Sequence, residues 1–79
     1  TKALEFLEKA LAIRQRSLPS NHPDLADSYN NIGMIYAKMR DYSKALFFYQ
    51  KDLVISEQSL PANHPDLGTS YNNIALVYN

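Results

Sequence analysis

The sequence contains no cysteine, only two glycines and no excess of charge of either sign. Without cysteine, neither a disulfide bond nor a thiolate metal site can stabilise the fold. Eight basic residues balance eight acidic residues, whereas a nucleic-acid-binding surface would be strongly basic. We therefore expect a fold without disulfides or structural zinc, and no nucleic-acid partner.

Long hydrophobic runs are also absent. No stretch of about 18 apolar residues occurs, so the sequence offers no transmembrane span, and no signal peptide is visible. Gly33 and Gly68 stand alone and cannot form a glycine-rich phosphate loop. No Ser/His/Asp set and no paired carboxylates can be placed around a pocket. These absences predict a cytoplasmic protein that is not an enzyme and that uses no cofactor, metal or membrane.

One stretch of the sequence occurs twice, 42 residues apart. Residues 18–25 read Leu-Pro-Ser-Asn-His-Pro-Asp-Leu, and residues 60–67 read Leu-Pro-Ala-Asn-His-Pro-Asp-Leu. Aligning residues 1–37 with residues 43–79 gives 21 identities in 37 pairs, where chance would give a few. Self-similarity at a fixed period of this size is typical of a solenoid or array. We interpret residues 1–79 as a single fragment of such an array.

Apolar residues recur with helical spacing in four segments, and prolines or short polar turns separate these segments. The predicted helices span residues 2–17, 24–38, 42–59 and 65–79. Connections of about three to six residues make sequential helices antiparallel neighbours. The predicted fold class is therefore all-α, an antiparallel helix-pair solenoid.

The repeated segments also resemble a known family. Residues 29–36 read Tyr-Asn-Asn-Ile-Gly-Met-Ile-Tyr, and residues 41–46 read Asp-Tyr-Ser-Lys-Ala-Leu. This pattern resembles a tetratricopeptide repeat, which has an aromatic residue early in helix A, then Leu-Gly, then Tyr, and a short turn before helix B. The period of 42, rather than about 34, is similar to that of kinesin light chains. The resemblance implies a right-handed superhelix, with helices in the order B–A–B–A.

Two residues depart from the pattern of that family. Arg40 stands where the family usually has glycine, at a turn that favours positive φ. Asp52 stands where helix B usually carries a small alanine, as Ala10 does one repeat earlier. Asp52 therefore predicts either looser packing or a polar contact with a neighbouring repeat.

The asparagine pairs are the most informative polar residues. The family lines the concave face of its superhelix with helix A, where an amide can both donate to and accept from the backbone of an extended peptide. The resemblance implies that a peptide or partner protein contacts Asn30, Asn31, Met34, Lys38, Asn72, Asn73 and Leu76. Asn31 and Asn73 match the family position. Alternatively, the asparagines bond to each other or to the adjacent helix and hold the repeats in register.

The histidines and tyrosines have simpler interpretations. His22 and His64 each precede Pro-Asp at a helix start. Equivalent residues in stacked repeats lie roughly 10 Å apart, too far to share a zinc ion, so we expect helix caps, with the Asn21 side chain as the alternative to His22. The tyrosines predicted to lie in the core are Tyr29, Tyr36, Tyr71 and Tyr78.

A structural function is the alternative to peptide binding. Residues 2–4 repeat residues 44–46 as Lys-Ala-Leu, so helix 2–17 resembles the B helix that would follow helix 65–79. Copies could then stack head to tail through a heterologous contact, and the zero net charge would oppose this little. We therefore also expect end-to-end self-association.

Overall fold

The computed structural model describes residues 2–78, which form four α-helices. The helices are α1 (Lys2–Ser17), α2 (Pro23–Lys38), α3 (Tyr42–Ser59) and α4 (Pro65–Tyr78). Each helix packs antiparallel on the next along the chain, which confirms the predicted all-α class of helix pairs. Asn79, the last residue of the predicted fourth helix, lies outside the described residues. None of these described helices has the length and apolarity that crossing a membrane requires.

The starts of α2 and α4 are capped in the same way. The Nδ1 atom of His22 accepts from the backbone N–H of Asp24 at 3.1 Å, and His64 accepts from Asp66 at the same distance. The intervening proline occupies the first helical position, where its missing N–H has no cost. The capping role predicted for both histidines is confirmed.

The turn between α2 and α3 needs a left-handed residue. Arg40 has φ 64°, a conformation that costs a non-glycine residue roughly 1 kcal/mol. Asp41 then caps α3, because its Oδ1 accepts from the backbone N–H of Lys44 at 3.4 Å. The geometry expected of the family's glycine is therefore present, although arginine occupies the position.

The hydrophobic core lies among α1, α2 and α3. Ile32 at its centre has no exposed surface. The half-buried ring of Phe48 stacks on the rings of Tyr29 and Tyr36, with centroid separations of 6.1 Å and 5.7 Å. The buried members of this cluster are Leu4, Leu11, Leu25, Ala26, Tyr29, Ile32 and Ile55.

Two of the four tyrosines predicted for the core lie on the surface. Tyr71 and Tyr78 are 52% and 70% exposed, so the prediction was wrong for them. Their equivalents one repeat earlier, Tyr29 and Tyr36, are covered by Phe48 of α3. Within residues 2–78, no helix occupies the corresponding place on α4.

The close approach of α3 to α2 depends on Gly33. A Cβ atom added to Gly33 would lie 2.8 Å from Cδ1 and Cε1 of Tyr49, and 3.3 Å from the carbonyl oxygen of Ala45. Tyr49 and Ala45 are both buried, so neither can move aside without disturbing its own packing. A side chain at position 33 would therefore force the two helices apart.

We predict that Gly33→Ala lowers the free energy of unfolding by about 1–3 kcal/mol, the usual cost of overpacking a core. The better helix propensity of alanine, worth about 1 kcal/mol, offsets part of this loss. Gly68→Ala in α4 is the matched control, because nothing lies within 4 Å of its added methyl group. Gly68→Ala should raise stability. Urea unfolding of both variants checks the prediction, and equal stabilisation by both would contradict the close contact.

Candidate functional site

One hydrogen bond between the two asparagine pairs joins α2 to α4 at the surface. Asn73 donates from Nδ2 to Oδ1 of Asn30 at 2.7 Å, and both side chains are half-buried. This bond joins the first asparagine of one repeat to the second asparagine of the next. It is the bond between asparagines of neighbouring repeats that the register alternative requires.

The other predicted site residues lie open to solvent, and Met34 contacts the bonded Asn30. Asn30 also donates from Nδ2 to the sulfur of Met34 at 3.7 Å, and a thioether is a weak acceptor. A stronger acceptor, such as a peptide carbonyl, could therefore replace that sulfur. The exposed members of the predicted set are Asn31, Met34, Lys38, Asn72 and Leu76. Their contact with a peptide stays a prediction.

Asp52 on α3 connects its repeat to the next one through a buried hydrogen bond with α4. It is 6% exposed, and its Oδ2 accepts from the hydroxyl of Ser70 on α4 at 3.0 Å. Its Oδ1 accepts from Ser56 on its own helix at 3.1 Å. The departure from the family's alanine is therefore a polar contact with the neighbouring repeat, which was one of the two possibilities left open by the sequence.

At the preceding contact between repeats, where α1 packs on α2, the charged side chain is a cation instead of a carboxylate. Arg14 occupies the position equivalent to Ser56, and its Nη1 donates to the Ser28 hydroxyl at 2.7 Å and to the Asp24 carbonyl at 3.0 Å. Ser28 is the equivalent of Ser70. The same serine is therefore bound by a cation at one junction and by a carboxylate at the next. The sequence period indicated both serines but not this exchange.

A cavity of about 260 Å³ opens where α2, α3 and α4 meet. Asp52 lies at this cavity together with Asp27 and Asp66. Burial raises the pKa of Asp52, the bonds from Ser70 and Ser56 oppose that rise, and repulsion from Asp27 and Asp66 adds to it. Within residues 2–78, no group of three or more His, Cys, Asp or Glu side chains is placed to hold a metal ion.

We predict that Asp52→Asn stabilises the chain at neutral pH. Because burial raises the folded-state pKa of Asp52 above the unfolded value, ionisation of Asp52 costs stability as pH rises from the unfolded-state pKa through the folded-state pKa. Asparagine cannot ionise but can still accept from Ser70. Thermal unfolding should show an advantage that shrinks as pH falls towards the pKa of an unfolded aspartate, about 3.9.

The control for this prediction is Glu8→Gln, because Glu8 is exposed on α1 and lies outside the set of residues that line the cavity. That variant should keep the pH dependence of the parent chain. An Asp52→Asn advantage that is the same at pH values above and below the window would contradict the role of burial.

The outer faces of α1 and α4 form two further exposed apolar surfaces. Phe6 and Ile13 on α1 are 68% and 65% exposed, although their equivalents on α3, Phe48 and Ile55, pack in the core. On α4 the exposed aromatic residues are Tyr71 and Tyr78. The surface of α1 therefore carries the equivalents of α3 residues, and the surface of α4 carries the equivalents of the α2 residues on which α3 packs.

The helix pairs, the period and the turn agree with the comparison with known families. The profile of the tetratricopeptide repeat matches residues 1–57. The chain belongs to the tetratricopeptide repeat family. Tetratricopeptide repeats generally mediate protein–protein interactions and are typically non-catalytic. Curated proteins give no significant match.

A solved structure gives the same architecture at greater length. It is that of a protein assigned as a kinesin light chain from Podosopora anserina, with nearly identical repeats, and its similarity to this chain has a TM-score of 0.86 at 26% sequence identity. The alignment covers 98% of the present chain and 36% of that chain. The present chain therefore spans about a third of that structure, which confirms the kinesin light chain-like resemblance of its repeats.

Proposed function

We propose that this chain is a cytoplasmic protein-interaction scaffold that holds an extended peptide or a partner protein on the surface formed by α2 and α4. The observation that carries the proposal is the exposure of the Asn31 and Asn72 amides, which are next in sequence to the two asparagines whose hydrogen bond joins α2 and α4. In this proposal the bond orients the amides, and the exposed neighbours contact the peptide.

The chemistry of this surface suits an extended backbone. An asparagine amide can donate to a peptide carbonyl and accept from a peptide N–H at once, and Asn31 and Asn72 are exposed. Met34 and Leu76 are 41% and 69% exposed and offer apolar contacts one helical turn farther along. The side chains of a bound peptide would meet these apolar groups while its backbone meets the amides.

We predict that the two asparagines of α4 behave differently. Asn73→Ala should lower the free energy of unfolding by up to about 1 kcal/mol, because Oδ1 of half-buried Asn30 loses its donor and the helix propensity of alanine returns only a few tenths. Asn72→Ala is the matched control in the same helix, and it should be neutral or slightly stabilising. Thermal unfolding measures both changes.

Binding is tested separately with a displayed peptide library and titration of the selected peptide. Asn31→Ala/Asn72→Ala should weaken that peptide at least about tenfold, the loss expected from two hydrogen bonds, without lowering stability. Unchanged affinity in this double variant would contradict peptide binding at the asparagine surface. Glu8→Gln on the exposed face of α1 is the control for nonspecific effects.

The second candidate function is head-to-tail stacking of copies. Phe48 packs on Tyr36 with a centroid separation of 5.7 Å and an interplanar angle of 6°. The equivalent residues, Phe6 and Tyr78, are exposed on opposite ends of the same chain. Helix α1 of one copy can therefore occupy, on α4 of another copy, the place that α3 occupies on α2. Such a contact is heterologous and extends into an open assembly.

We predict that Phe6→Glu and Tyr78→Glu each block one end of this assembly, because each buries a charge opposite an aromatic ring. Neither variant alone should form assemblies. An equimolar mixture should form a dimer that grows no further, since each variant keeps the end that the other has lost. Sedimentation over a concentration series measures this. A mixture that stays monomeric at concentrations where the parent associates would contradict head-to-tail stacking.

A further inference from the structure

Gly33 and Tyr49 contact each other, and both are replaced by other residues at the equivalent positions one repeat away. The residue equivalent to Gly33 is Ala75 on α4, and the residue equivalent to Tyr49 is Leu7 on α1. On α2 the missing side chain of Gly33 leaves room for the tyrosine ring, since a Cβ atom there would lie 2.8 Å from that ring. On α4 the methyl group of Ala75 occupies the equivalent space.

The two changed residues differ in exposure. Ala75 is exposed on α4, and Leu7 is half-buried on α1, where it packs against the core cluster. A helix of the α3 type would bring a tyrosine ring against the methyl group of Ala75, at a separation that packed atoms do not adopt. A helix of the α1 type would bring the smaller, ring-free leucine there. Ala75 on α4 is larger than its equivalent Gly33, and Leu7 on α1 is smaller than its equivalent Tyr49. The two changes in side-chain size therefore compensate each other.

From this compensation we infer that α4 selects its partner helix by size, accepting α1 of a second copy and rejecting a helix of the α3 type. The inference rests on the stacking function proposed above and names Leu7 and Ala75 as the residues that determine its specificity. Helix α3 then belongs only on α2, and α1 belongs on α4 of the next copy.

Two other contacts of the internal interface would be reproduced without change. Lys51 lies over the ring of Tyr29, with Nζ 5.6 Å from the ring centroid, and the equivalent pair is Lys9 and Tyr71. The stacking of Phe48 on Tyr36 has its equivalent in Phe6 and Tyr78. A docked α1 therefore keeps these aromatic and cation–π pairs, whereas the Gly/Tyr pair is exchanged for Ala/Leu.

The test is a rescue experiment in the full chain. Leu7→Tyr should weaken self-association at least about tenfold, because the added ring overpacks against Ala75. Adding Ala75→Gly to that variant should restore association to within about threefold of the Ala75→Gly chain, since it recreates the Tyr49–Gly33 pair. Sedimentation equilibrium measures the association, and thermal unfolding at concentrations below association checks the fold of each chain.

A second variant does not touch the packed side of α1. Ala75→Leu alters an exposed position with a good helix former, so the chain should fold normally while its association weakens at least about tenfold. Ala75→Leu therefore provides the test if Leu7→Tyr fails to fold. Full association of Ala75→Leu overturns the inference.

The outcomes separate the inference from the function on which it rests. If the parent associates and Leu7→Tyr associates equally well, or if Ala75→Gly fails to rescue a folded Leu7→Tyr chain, size selection is wrong and stacking stands. If the parent is monomeric at millimolar concentration, stacking and size selection are both wrong, and a following repeat of a longer chain becomes the occupant of α4.

Discussion

The ring of Tyr49 lies against the bare backbone of Gly33, and this contact determines how closely α3 approaches α2. At that separation Phe48 reaches the rings of Tyr29 and Tyr36, and Ile32 loses all contact with solvent. Helix α1 packs on the other side of α2 and contributes Leu4 and Leu11 to the same cluster. The close approach of α3 to α2 thus follows from the absence of one side chain.

Burial in this fold comes from immediate neighbours. Helix α2 has a helix on each side and buries six residues, whereas α4 packs mainly on α3, meets α2 at the Asn30–Asn73 bond and buries two. The two helices share most of their sequence, including Pro-Asp-Leu at the start and Ser-Tyr-Asn-Asn-Ile in the middle. The difference in burial therefore reflects position in the array rather than composition, as expected for a solenoid in which each repeat contacts only its neighbours.

Local features of this fold could be predicted from sequence, and features that depend on neighbouring helices could not. The helix starts follow from the prolines and histidine caps, which act within two residues of each other. The Asn30–Asn73 bond depends on how α2 and α4 are rotated about their axes, which a repeat period does not reveal. The repeat period likewise allowed two interpretations of Asp52, and the position of Ser70 on α4 decides between them. Nor does the period reveal that Tyr78 is exposed, since that depends on which helices surround α4.

The Asn30–Asn73 bond has a direction, because the second asparagine of one repeat donates to the first asparagine of the repeat before it. Repeated along an array, this bond would point at every junction from one repeat to the repeat before it. Such an array would show its direction in its surface side chains as well as in the direction of its helices.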